Sequence, residues 1–79
     1  MDRVRVLTYR FFDLAHVVRI DIARELKLLK DEDEGLQDYE LFERVFTRAA
    51  RENLLVQLWD KIEERHGDKK YSSNPFKVQ

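Results

Sequence analysis

Asp38-Tyr39-Glu40-Leu41-Phe42-Glu43-Arg44-Val45-Phe46-Thr47-Arg48-Ala49-Ala50-Arg51 is the stretch that decides the fold. Leu41, Phe42, Val45, Phe46, Ala49 and Ala50 recur at i, i+1, i+4, i+5, i+8 and i+9, with charged residues between them. That spacing lays the apolar side chains along one broad stripe of a helix. Asp38 is read as the N-cap and Tyr39–Arg51 as the body, because a carboxylate oxygen accepts from a free amide of the first turn. A helix with such a stripe must bury it against other elements.

Downstream, Asn53 marks a turn into a helix from about Leu54 to His66, with Leu55, Leu58, Trp59 and Ile62 at i, i+3, i+4 and i+7. Gly67 stands where a left-handed residue ends that helix. Upstream, Asp31-Glu32-Asp33-Glu34-Gly35 is an interruption, since four adjacent carboxylates repel and glycine relaxes the backbone. Leu36 is expected to tuck back onto the core. Before it, a helix is expected from about His16 to Leu28, burying Val17, Ile20, Ala23 and the Leu26, Leu28 and Leu29 cluster. The first helix is read as Arg3–Phe12, capped by Asp2, with Val4, Leu7 and Phe11 on one stripe. The break between these two is placed near Asp13–Ala15. Leu41, Phe42, Val45, Phe46, Leu58, Trp59 and Ile62 are the expected core.

The chain has 79 residues, 43% hydrophobic and 39% charged, with two Gly, one Pro and no Cys. This is too apolar for a disordered chain, too poor in turn residues for an all-β fold, and without a disulfide or Cys-ligated zinc framework. No apolar run is long enough to span a membrane. The reading is an all-α, compact antiparallel bundle of four to six helices, expected to be cytoplasmic. Residues 1–67 are taken as the helical domain and 68–79 as a C-terminal tail or linker.

Formal charge is −1, but it is unevenly spread. Residues 1–30 carry +3, residues 31–64 carry −7 and residues 65–79 carry +3. A basic and an acidic face on one domain can steer copies together head to tail. Arg3, Arg5, Arg10, Arg19, Arg24 and Lys27 could form a basic stripe on the first two helices, but the acidic middle opposes a nucleic-acid reading.

Catalytic chemistry finds no support. Ser72 and Ser73 lie in the tail, not in a strained strand-to-helix turn. His16 and His66 lie far apart in the chain, and His66 sits where a helix C-terminus favours an imidazolium. Glu63-x-x-His66 occurs once, whereas a di-metal bundle needs two such motifs. In neither calcium-loop frame on the acidic run does the closing position carry a carboxylate: it is Leu41 or Phe42. No catalytic, metal-binding or cofactor-binding residue is therefore expected. Asn74-Pro75-Phe76 matches the tripeptide read by endocytic EH domains, but three residues recur by chance; the stretch reads as a linker with an anchoring Phe.

Phe11-Phe12-Asp13-Leu14, Arg19 to Leu29, Asp31 to Leu36, Glu40 to Phe46 and Leu58-Trp59-Asp60-Lys61-Ile62 together resemble the death-fold-like adaptor domains of prokaryotic conflict systems, also called effector-associated or bacterial death-like domains. The resemblance spans about residues 7–66. It implies a helical bundle without enzymatic activity that associates homotypically and couples an effector to a sensor NTPase in an anti-phage or signalling system. The animal death fold has six helices; two short ones beyond the four placed here would lie at Leu36–Gln37 or between Phe12 and His16. The expected contact sets Arg19, Arg24 and Lys27 of one copy against Asp31, Glu32, Asp33 and Glu34 of the next. The alternative is a monomeric or dimeric helical domain that grips a different protein or peptide between its third and fourth helices.

Overall fold

Four α-helices follow one another: α1 (Arg3–Phe12), α2 (His16–Glu25), α3 (Asp38–Arg51) and α4 (Leu55–His66), with a 3-10 turn at Asp31–Asp33. This computed structural model describes residues 2–67 and 73–77, and no strand occurs among them. The additional helical turn thus lies inside the acidic run, neither at Leu36–Gln37 nor between Phe12 and His16.

Asp2 caps α1 as its spacing implies: its Oδ1 accepts from the Val4 amide at 2.9 Å. The start of α3 differs from expectation. Gln37 holds the N-cap position without a side-chain bond, and Asp38 is the first helical residue, at φ 54. The end of α2 also differs. The helix stops at Glu25, and Lys27 turns left-handed at φ 58. The Leu28 amide then reaches back to the Ala23 carbonyl at 2.8 Å. This is the Schellman arrangement, in which a left-handed residue lets the chain satisfy carbonyls the helix leaves open. Asn53 does the same after α3, at φ 60, with the Leu54 amide on the Ala49 carbonyl at 2.7 Å. Gly67 ends α4 at φ 74.

Both Schellman turns drive a leucine inward. Leu28 is buried, and Leu54 packs against the core. Helix α4 packs against each of the other three helices, and α1 also meets α3. The centre is built from Leu7, Phe11, Ile22, Ala23, Leu41, Val45, Ala49, Leu58 and Ile62, none of them exposed. Leu36 does pack onto this core. The radius of gyration is 11.8 Å, near the roughly 12 Å expected of a packed chain this long.

Of the expected core, Leu41, Phe42, Val45, Leu58, Trp59 and Ile62 are buried, but Phe46 is only half-buried. It stacks on Phe42 at 5.7 Å near the edge of the α3 stripe. Ala50, also on that stripe, is exposed, and so is Val17 at 64%. An amphipathic stripe is broader than the surface α4 and α1 cover, so its margins stay in water. Residues 73–77, in the stretch read as a tail or linker, carry the buried Asn74 and Phe76. Ser72 and the lysines at 69 and 70 lie outside the described residues.

Candidate interaction surface

The acidic run does not present four equivalent carboxylates. Asp33 is fully buried, whereas Asp31, Glu32 and Glu34 are exposed. The 3-10 turn explains the difference. Its N-cap is Lys30, whose amide donates to Asp33 Oδ2 at 2.9 Å while its carbonyl accepts from the Asp33 amide at 2.9 Å. This reciprocal closure swings the Asp33 side chain towards α3. There Arg44 Nη1 donates to Oδ1 at 3.0 Å, and Arg48 Nη1 donates to Oδ2. Arg44 and Arg48 stand four apart, on one face of α3. Arg48 Nη1 also donates to the Leu28 carbonyl at 3.0 Å, tying the α2–α3 connection to α3. The Asp33 carboxyl is held below its ordinary pKa, first by the Arg48 hydrogen bond; burial opposes this, and the Lys30 amide and both guanidinium charges add to it. Asp33 is therefore an internal tie, and the acid surface consists of Asp31, Glu32 and Glu34.

The three predicted cations divide in the same way. Arg19 is half-buried and bonded within its own chain. Its Nε donates to the Phe11 carbonyl at 3.1 Å and its Nη2 to the Phe12 carbonyl at 2.9 Å, closing the open carbonyl end of α1. Its guanidinium lies 4.9 Å over the Phe12 ring. Arg24 and Lys27 are exposed, and among the described residues neither forms an ion pair; the same holds for Asp31 and Glu34. Glu32 makes one loose contact with Arg48, at 3.8 Å.

Other charges are absorbed internally. Arg10 is 5% exposed and forks onto Glu63, Nε to Oε2 at 2.8 Å and Nη2 to Oε1 at 3.1 Å. His66 Nε2 lies 2.7 Å from the Arg10 carbonyl. Glu63 and His66 thus hold α4 to α1, and among the described residues no group of acids and histidines is placed to hold a metal ion. Glu25 joins α2 to α4 through Arg65 and through Lys61 at 3.3 Å. The Arg65 hydrogen bond is the main cause of its lowered pKa; burial works against it, and Lys61 adds to it. No helix among the described residues is long and apolar enough to cross a membrane.

The family model of a GTPase-associated adaptor domain (GAAD) matches residues 3–64. The chain belongs to this GAAD family. No curated protein and no solved structure matches it. The matched residues run from the start of α1 almost to the end of α4, so the bundle itself is the GAAD unit. An adaptor-type domain works by holding proteins. The residues of the GAAD bundle that sequence reasoning missed are Arg44 and Arg48. Their signal was present: two cations four apart on a helix that follows an acidic turn.

Proposed function

We propose that this GAAD domain is a non-enzymatic, death-fold-like adaptor that recruits or oligomerises partners through homotypic helical-domain contacts in an anti-phage or signalling system. Its partners would be copies of itself or a matching domain on a GTPase-linked protein. One observation carries the reading. The cations Arg24 and Lys27 and the acids Asp31 and Glu34 are exposed charges without an ion pair among the described residues, in a bundle that pairs Arg10, Arg44, Arg48 and Arg65. Charges left over in this way are available to the opposite patch of another copy. A patch that meets a different patch makes rings or open filaments.

Light scattering behind size exclusion, over a series of protein and salt concentrations, tests it. Mass should grow with concentration and fall with salt. Arg24→Glu should abolish the growth without unfolding the domain, and Glu34→Lys in the same chain should partly restore it. Assembly by Arg24→Glu equal to wild type refutes the contact. The heterotypic alternative draws little from α4, where Trp59 is buried; on α3 Phe42 is buried and Phe46 half-buried, leaving Tyr39 as the large exposed apolar residue there, with Tyr9 and Val17 on α1 and α2.

A further inference from the structure

Asn74 and Phe76 lie ten or more residues past the end of the GAAD match, yet each is only 8% exposed. Asn74 Nδ2 donates to the Val56 carbonyl at 2.9 Å and to Asp60 Oδ1 at 3.0 Å. Its Oδ1 accepts from the Phe76 amide at 2.9 Å. Both amide hydrogens and the carbonyl oxygen of one side chain are thus engaged. The Lys77 amide donates to the Asn74 carbonyl at 3.3 Å, closing a four-residue turn in which Pro75 takes the second position that its ring favours. The Phe76 ring packs on Trp59, centroids 6.2 Å apart, and the Arg3 guanidinium lies over it, 5.1 Å from its centroid.

We propose that this face of α1 and α4 is a binding site for an Asn-Pro-Phe turn, and that residues 73–77 occupy it in cis as an exchangeable latch. The chemistry is selective at two positions. An aspartate in place of Asn74 would lose both donors and set a carboxylate against Asp60. A small residue in place of Phe76 would lose the contacts with both Trp59 and Arg3. The latch has a consequence for anything carried beyond it. Residues 73–77 sit beside Val56, Trp59 and Asp60, not at the end of α4, a shift of about 10 Å along the helix axis at ~1.5 Å per residue. A protein segment bearing the same turn would compete for the site.

Trp59 is the sole tryptophan, so its fluorescence reads the site directly. In the full chain, Phe76→Ala and Asn74→Asp should each red-shift its emission while helical circular dichroism is kept. The capped peptide Ser-Asn-Pro-Phe-Lys, added to Phe76→Ala, should restore the wild-type emission. Short linkers give effective concentrations of about millimolar, so a latch closed about nine times in ten needs a peptide Kd of roughly 0.1 mM. Unshifted emission in both variants, no saturation by ~10 mM peptide against that millimolar scale, or equal restoration by Ser-Asn-Pro-Ala-Lys would each overturn the site. If Phe76→Ala loses its helical signal, Asn74→Asp carries both measurements. A doubled wild-type mass that Asn74→Asp returns to monomer would place the segment on a second copy and overturn the cis latch.

Discussion

Asp33→Ala separates a carboxylate that holds the bundle together from neighbours that only look like it. The substitution removes the acceptor of the Lys30 amide and of both α3 guanidinium groups. Losing one partner of a buried ion pair costs about 3–5 kcal/mol. Two features place this case at the lower end. Arg44 is 51% exposed in its side chain, so water screens its share to below about 1 kcal/mol. Arg48 keeps its bond to the Leu28 carbonyl. The expected loss is about 3 kcal/mol, against a total of roughly 4–12 kcal/mol for a domain of this length. Urea unfolding followed by Trp59 fluorescence should show it as a large fall in midpoint. Asp31→Ala and Glu34→Ala, on exposed side chains, should stay within about 0.5 kcal/mol of wild type. A midpoint for Asp33→Ala equal to that of Asp31→Ala refutes the argument. The pH dependence follows the same tie. Because the folded-state pKa lies below the ordinary value, the unfolded chain binds more protons in acid. The contribution is complete above about pH 4 and is lost as pH falls through the folded-state value. Asp33→Asn should flatten that acid limb without abolishing it, since the Glu25 carboxyl is also lowered.

Glu63→Ala deletes both arms of the fork on the buried Arg10 and should cost about 3 kcal/mol, lowering the melting midpoint by roughly 10–20 °C. Phe42→Ala should cost about 3–5 kcal/mol, as for a fully buried ring, and the half-buried Phe46→Ala only about 1–2 kcal/mol; equal midpoints in a denaturant series would show that the two rings share one burial. Lys27→Gly relieves a left-handed lysine and should stabilise by about 0.5 kcal/mol while removing a surface charge. Lys27→Glu should leave unfolding unchanged and act on assembly alone, so comparing the two separates backbone strain from charge.

α1, α3 and α4 were legible because each carries its own period. Asp2 and the Val4, Leu7, Phe11 spacing bound α1 to the residue, and Gly67 ends α4 where its φ requires it. The end of α2 was not legible. A lysine stands in the left-handed position that glycine or asparagine usually marks, and Leu26, Leu28 and Leu29 prolong an apparently apolar run. Leu28 reaches the core through the Schellman turn rather than through a helical face, so its burial and the helix length point in opposite directions. Phe46 and Val17 show the other limit. Periodicity says which side of a helix is apolar, but how much of that side is covered depends on how the neighbouring helices pack. Nothing within α3 alone sets that angle.

The charged surface was legible in its total and not in its parts. The ion pairs that cross between elements join residues distant in the chain: Arg10 with Glu63, Glu25 with Arg65, Asp33 with Arg48. A charge count over a window treats all of these as surface. The acidic run is the sharpest case, because Asp31 to Glu34 are chemically near-identical and one faces inward. A 3-10 turn repeats every three residues, so Lys30 and Asp33 fall on the same side. Lys30 has its amide free to donate and its carbonyl free to accept, which draws Asp33 rather than Asp31 or Glu32 into the closure. The same geometry leaves the other three acids facing water. An acidic patch is therefore kept on the outside by the one carboxylate of the run that the fold takes in: without Asp33 the turn that displays Asp31, Glu32 and Glu34 loses its bonds to Arg44 and Arg48 and keeps only the loose Glu32–Arg48 contact to α3. Loss of assembly in Asp33→Lys would report an undone turn, whereas loss in Glu34→Lys with an unchanged urea midpoint reports the surface itself.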